Sequence, residues 1–384
     1  MWQLKNIRIK ASGKSAWFGG GLVVKETIDY LWSHGHVATT GGCECVGMAG
    51  AGLGGGHGRL EGLYGLISDN FLQLNVVLGN GSHIRVNSTS HSDLLWGMKG
   101  AGANFGIVTS YEMKIWPKGP KTWHYHNYIW RGEHLETVFN KLNSLMGNGT
   151  TPINMVSAAG SLFMNTTIST EEPVLFWSFL YRGTAKEAER YLAPFNAIEA
   201  VYDLVGDVPY PEVAHAQGSG NDDAICQHGN EYRTSTVFIR EWNTTAERRI
   251  FEGFKRRAAT DPILAVGCSM LHEAYSTEKV EAIDSRSSAY PFRTDRHLTL
   301  FNAIVPHNDT VRGAAAEAWA AEVRDEWRAG QPHRPFNAYV NYANGLETLE
   351  ERYGHEAWRL ERLRTLKARY DPDNRFRFFN PIVV

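Results

Sequence analysis

The chain has 384 residues, 43% hydrophobic and 21% charged, with a formal net charge of −2. That is a globular composition with room for a sizeable core, and its balanced charge argues against nucleic acid or a membrane surface as partner. No run reaches the roughly 18 apolar residues of a membrane-spanning helix, and the opening "MWQLKNIRIKASGKSAWFGGGLVVKETIDY" lacks the apolar run and cleavage site of a signal peptide.

In chain order, residues 5–11 and 21–25 read as short strands, and "ETIDYLWSHG" as a helix ending at Gly35. His34 and His36 flank that glycine and read as a helix end rather than a metal pair. A glycine-rich stretch follows, Thr39 to Asn70, with Cys43 and Cys45 near its start. "LNVVLGNGSHIRV" predicts a hairpin turning at Gly79-Asn80-Gly81. Ser92 is placed to cap a short helix, and "FGIVTSYEMKIWP" is a strand closed by Pro117. Beyond Pro120 the texture changes. Strand-like runs ("VLFWSFLYRG", "HLTLFNAIVP") alternate with helices, one opened by the capping box Thr184-x-x-Glu187 and others near 245–258 and 312–328. Near the end, "HEAWRLERLRTLKARYDP" puts Trp358, Leu360, Leu363 and Leu366 broadly on one helix face. Its arginines are expected on the solvated side. The fold class is α+β, with an antiparallel sheet backed by helices in the middle. Trp177, Phe176, Phe179, Tyr181 and Phe292 there suit an organic substrate or a core, and core is the safer reading for each alone.

Of the four cysteines, Cys226 and Cys268 are open to pairing in an oxidising compartment or to separate burial, and Cys45 is read as packing. Asn-x-Ser/Thr sequons at Asn80, Asn87, Asn148, Asn165, Asn243 and Asn308 exceed the about two or three expected by chance.

The glycine-rich stretch narrows the chemistry. Cys43-x-Cys45 is too close for a zinc pair and has no second ligand pair, so no metal is expected. Gly50-x-Gly52-x-x-Gly55 matches a dinucleotide fingerprint in form, yet no hydrophobic strand precedes it and more glycines follow where a helix should start. No Gly-Lys-Ser/Thr follows, so it is no P-loop. Two readings remain: bare backbone approached by a large flat ligand, or tight turns alone.

The run from Cys43 through Val46-Gly47, Gly54-Gly55-Gly56-x-Gly58, Tyr64-Gly65-Leu66 and Asp69-Asn70 resembles the FAD-linked oxidases of the berberine-bridge-enzyme type, in the vanillyl-alcohol-oxidase superfamily. "DLLWGMKGAGANFGIVT", "YVNYANG" and "YDPDNRFRFFNPI" agree with it in family order. The resemblance implies a PCMH-type FAD-binding domain in residues 1–118, a substrate domain of antiparallel sheet and helices in 119–335, and a segment, 336–384, that returns to complete the FAD domain. It implies FAD as cofactor, with a thioether to the flavin at Cys43. Gly47, Gly50, Gly54, Gly55, Gly58, Tyr64, Asp69, Asn104, Gly106, Ile107, Tyr339 and Asn341 are implied as cofactor-binding. Val46 falls where the family lines the approach of oxygen, and Tyr342 where many members place the base that takes a substrate hydroxyl proton. The partners implied are a small organic substrate and O₂, with hydride passing to flavin N5.

Three departures qualify this. Ala51 stands where a flavin-bonding histidine is frequent, and Asn344 where aspartate is frequent. The upstream motif that supplies the histidyl flavin link is absent, so the FAD domain is expected to be N-terminally incomplete, its leader and signal peptide lying outside this chain. With the sequons, this makes a secretory-pathway protein the expectation. The alternatives are a non-catalytic remnant of such a flavoprotein and, less favoured, a flavin dehydrogenase that uses another acceptor.

Overall fold

The computed structural model describes every residue except Asn148, His228 and Val384. The sequon at Asn148 therefore lies outside the described residues. The first seven strands are β1 (Ile7–Ile9), β2 (Ser15–Gly19), β3 (His36–Val37), β4 (Phe71–Val77), β5 (His83–Asn87), β6 (Ile107–Lys114) and β7 (Trp116–Pro117). Five of them form an antiparallel sheet in the order β1-β2-β6-β4-β5, and β3 pairs with β7. The hairpin forms where its glycines predict, β4 and β5 joined across Gly79–Gly81, with Gly81 at φ 83°.

The other seven are β8 (Trp123–Trp130), β9 (Met155–Phe163), β10 (Val174–Tyr181), β11 (Tyr202–Val208), β12 (Glu231–Ile239), β13 (Cys268–Ala274) and β14 (His297–Val305). They make one antiparallel sheet, β11-β8-β10-β9-β13-β14-β12. Helices Leu135–Leu145, Thr244–Thr260 and Thr310–Ala329 contribute Phe139, Phe254, Trp319 and Trp327 to the core beneath it, against Trp177, Met270 and Phe301 of the strands. Period-two alternation decides which side each residue serves. On β13, Cys268, Met270, His272 and Ala274 are buried, while Ser269, Leu271 and Glu273 face the other way.

The chain's end returns to its beginning. Leu360, Leu363, Leu366 and Tyr370 of helix Ala357–Tyr370 share a core with Leu94, Trp96 and Phe105. The expectation that its arginines are solvated fails at one of them. Arg359 is fully buried, donating to the carbonyls of Ser285, Ser288 and Ala289, and Lys367 is buried against Asp371, 2.6 Å away. Each cation is inside because it satisfies acceptors that would otherwise be orphaned.

Three local expectations need correction. Residues 21–25 form no strand: helix Val24–Ser33 starts there, with Glu26 accepting from the Val23 N–H. Ser92 makes no side-chain cap, since His91 in the left-handed region (φ 52°) precedes the helix. Cys226 does not pair with Cys268. It is bonded to Cys45, 181 residues away, while Cys43 and Cys268 are free and Cys268 is buried in the helix-backed core.

Closing so long a loop constrains the unfolded chain strongly. Cys226→Ser is expected to lower the unfolding free energy by about 2–5 kcal/mol in urea titrations. A non-reducing peptide map should recover Cys45 joined to Cys226; a Cys226–Cys268 peptide would refute the pairing.

Candidate active site

The Cys43–Gly47 run lies beside the start of helix Val24–Ser33. Val24 N–H donates to the Val46 carbonyl (2.9 Å) and Lys25 N–H to that of Glu44 (3.0 Å). A short helix, Met48–Leu53, follows, so the stretch is not wholly irregular as the sequence reads. The glycines divide into two kinds. A Cβ at Gly47 or Gly50 would meet nothing, and both line an open cavity. A Cβ at Gly54 would lie 2.0 Å from Asn341 Oδ1 and one at Gly58 1.8 Å from the Thr40 carbonyl. Gly55, at φ 114°, is pressed against Tyr290. The first kind clears space for a ligand; the second lets the protein pack on itself.

The cavity has a volume of about 490 Å³, and its walls include Cys43, Val46, Ala51, Gly54, His57 and Tyr342, with Tyr339 and Asn341. It meets a smaller one of about 210 Å³ at Gly42, Cys43, Glu273 and Tyr275. The smaller cavity's floor is the open face of the seven-stranded sheet, where Ser157, Ser178, Ser269 and Asn302 sit with Phe176 and Leu271. Phe176 thus lines a cavity, whereas Trp177, Phe179, Tyr181 and Phe292 are core.

Glu273 holds the junction. Tyr342 donates to one of its oxygens (2.6 Å) and Tyr275 to the other (2.7 Å). Desolvation raises the pKa of Glu273, partly offset by these two donors and by His57. Tyr342 and Tyr275 are pushed well above the ordinary phenol value, by burial first and then by the Glu273 charge. Tyr342, where the family resemblance puts the base, has no cation beside it among the described residues to lower its pKa. The neighbour is a carboxylate, not a cation, so Tyr342 is held as a donor to Glu273. Asn344, where aspartate is frequent, donates its amide to the Thr234 carbonyl. Tyr339 accepts from the Gly56 N–H (3.1 Å) and from Asn341 Nδ2 (2.7 Å), which also donates to the Ala51 carbonyl.

Cys43 is partly buried, and its thiol is pushed up to about 11 by desolvation and then by Glu273, with Arg59 acting in the opposite sense. Its neighbours are fixed: Cys45 by the disulfide, and Glu44 by Lys25 and by the N–H of Asn221. Arg59, 5% exposed, lies in the smaller cavity.

Seven expected cofactor contacts are not among the cavity's lining residues: Gly55 and Gly58 pack on Tyr290 and the Thr40 carbonyl, and five more lie further off. Tyr64 stacks on Trp116 at 4.5 Å between ring centroids. Asp69 forms a buried pair with Arg293, two contacts of 2.7 Å. Asn104 bonds to Tyr353 and to the N–H of Ile382, fastening the chain's end. A Cβ at Gly106 would strike Val76 at 2.5 Å, and Ile107 lies at the surface. Conversely, the sequence reading missed Glu273, Tyr275, His57 and Arg59. The available signal for Glu273 was a lone acid in the apolar run "SMLHEAY".

The residues present fit a flat cofactor: a cavity in the about 300–1,000 Å³ range of ligand sites, two glycines with bare faces, and one free thiol on its wall. Comparison with known proteins agrees. A family model described as FAD binding domain matches residues 1–87, and one described as berberine and berberine like matches 338–383. The FAD-linked oxidoreductase anuG of Penicillium roqueforti is 47% identical over 383 residues, covering 100% of this chain and 75% of that protein. The FAD-linked oxidoreductase OXR2 of Pyricularia oryzae is also 47% identical, covering 96% and 72%. Among solved structures, a chitooligosaccharide oxidase shares the fold with a TM-score of 0.80 at 18% identity, covering 100% of this chain and 81% of that one. Physcomitrella patens BBE-like 1 gives 0.79 at 18% identity with the same coverage. The chain belongs to the berberine-bridge-type FAD-linked oxidoreductases.

Proposed function

We infer that the protein is an oxidase that dehydrogenates a carbinol of a small organic substrate, with Glu273 as the terminal base and Tyr342 as the group that touches the substrate hydroxyl. The 2.6 Å hydrogen bond from Tyr342 to Glu273 on the cavity wall carries this reading. FAD, when bound, supplies the hydride acceptor and passes the electrons to O₂. The protein's task is the proton. As the substrate O–H gives its proton to Tyr342, Tyr342 gives its own to Glu273, so no free phenolate is needed. A carboxylate raised by desolvation is a stronger base than one in water, and Tyr275 keeps it oriented.

Cys43 is the point of covalent attachment in this reading, and Gly47 and Gly50 give the ring system backbone to lie against. Val46, 37% exposed at the cavity rim, is the residue past which O₂ approaches. The cofactor unit comprises residues 1–118 and 336–384, and the substrate unit 119–335; the core shared by Leu94 and Leu363 supports the grouping of the chain's two ends. Secretory passage is supported by the Cys45–Cys226 disulfide and by exposed sequon residues Asn80 and Asn308. Asn243 is a poorer acceptor, since its amide caps one helix and donates to Gly330.

Glu273→Gln is expected to lower kcat by about 10²–10⁴-fold. In the wild type, activity should rise with pH through the Glu273 pKa, above the usual carboxylate range, because the charged form is the base. Tyr342→Phe removes a donor that favours the carboxylate, so its residual activity should rise at higher pH still. Unchanged pH profiles in both variants would refute the assignment.

Acid-precipitated protein should stay yellow and Cys43→Ala should not, while stopped-flow mixing of the reduced protein with air should reoxidise it rapidly. A colourless wild-type pellet would sink the attachment, and slow reoxidation the oxidase. Endoglycosidase treatment of protein from the native host should reduce its mass; no change would refute glycosylation.

A further inference from the structure

Arg59 is a buried cation without a carboxylate partner among the described residues. Its three hydrogen bonds go to neutral acceptors: Nε to Gln217 Oε1 (2.7 Å), Nη1 to the Gly42 carbonyl (2.8 Å) and Nη2 to Ser219 Oγ (3.2 Å). A guanidinium has five N–H groups, so two remain. The surrounding acids are engaged elsewhere. Glu61 accepts from His57 and the Gly58 N–H, Glu44 pairs with Lys25, Asp223 accepts from the Gly220 N–H, and Glu273 holds its two tyrosines. Elsewhere the protein does neutralise a buried arginine: Arg293 has Asp69 in a two-contact pair. Buried charges are normally paired, and Arg59 is held in place by neutral groups with spare donors beside an open cavity.

The two cavities give that charge a direction. Arg59 lines only the smaller one and Tyr342 only the larger, while Cys43, Glu273 and Tyr275 belong to both. A substrate lying across the junction would present one end to Arg59 and the other to the base. Hydroxyls of Ser157, Ser178 and Ser269 and the amide of Asn302 surround the first end with hydrogen-bonding groups, and Phe176, Leu271 and Leu300 offer apolar contact between.

We propose that Arg59 anchors a carboxylate of the substrate, so that the enzyme acts on a hydroxylated organic acid whose carbinol is the end turned toward Tyr342 and Glu273. This rests on the base assignment above only for which end reacts. The anion site is independent of turnover.

The test is calorimetric titration of the FAD-loaded protein at neutral pH with benzoate and its neutral isostere benzamide. A charge-assisted pair predicts that the wild type binds benzoate about tenfold or more tightly than benzamide. Arg59→Gln should abolish that preference, and Arg59→Lys should keep part of it. Equal binding of the two probes by the wild type, or a preference that survives Arg59→Gln, would overturn the proposal. Loss of bound flavin in Arg59→Gln with the benzoate preference intact would also overturn it, assigning the charge to Cys43 instead. If Arg59→Gln fails to fold, the wild-type comparison still decides. Glu273→Gln should keep the preference while losing turnover, so failure of the base reading and failure of the anion site are told apart.

Discussion

The site depends on a partly buried carboxylate on the wall between two cavities. Glu273 stands on a central strand of the seven-stranded sheet, where solvation is poor, and its two oxygens are satisfied by two phenols rather than by a cation. An arginine there would have made a more comfortable ion pair and a lower carboxyl pKa, because an opposite charge favours the charged form. Phenols stabilise the charge less, so the pKa stays raised. The cost of that desolvation falls on a rigid part of the fold. The preceding residue, His272, is locked on the opposite face by Glu247 at 2.9 Å, with Trp327 donating to the same carboxylate. Strand alternation then leaves Glu273 only one direction in which to point.

The second constraint is the joint between the Cys43 segment and the loop after β11. The disulfide joins Cys45 to Cys226; Glu44 N–H donates to the Ser219 carbonyl; Asn221 N–H donates to Glu44; Arg59 reaches Gln217 and Ser219. Gln217 in turn donates to Ser178 on the sheet floor. The wall that carries Cys43 and the floor that carries Glu273 are thus registered through one chain of covalent and hydrogen bonds. That is why a thiol on a glycine-rich loop can hold a fixed place beside a cavity: its neighbours on both sides are anchored even though its own flanks are bare.

Much of this was legible in the sequence where the signal is local. The hairpin at Gly79–Gly81, the Thr184–Glu187 capping box and the helix near residue 357 follow from turn chemistry and periodicity, and all three form. The blocks around Cys43 and Tyr342 also meet in space, as family order implies. What escaped is non-local. Cys45 and Cys226 are brought together only by the packing of two distant segments, and Glu273 looks like any charged strand residue until the register of β9, β13 and β14 shows which face is open. Arg359 reads as solvated because a helical wheel shows side-chain positions, not the carbonyls of a neighbouring loop awaiting donors.

The glycines make the same point about motif reading. A motif of closely spaced glycines invites one explanation for all of them, yet Gly47 and Gly50 leave space while Gly54 and Gly58 remove it. The pattern survives as a unit because the two kinds depend on one another. Gly54 admits the side chain of Asn341, whose amide then fixes both the Ala51 carbonyl and the Tyr339 hydroxyl, and Tyr339 in turn takes the Gly56 N–H. A side chain at Gly54 would push this hydrogen-bonded group outward and displace the helix bearing Gly50. The open face of the cavity is therefore a product of tight packing one turn further along the chain, and the density of glycine is a single structural requirement seen from two sides.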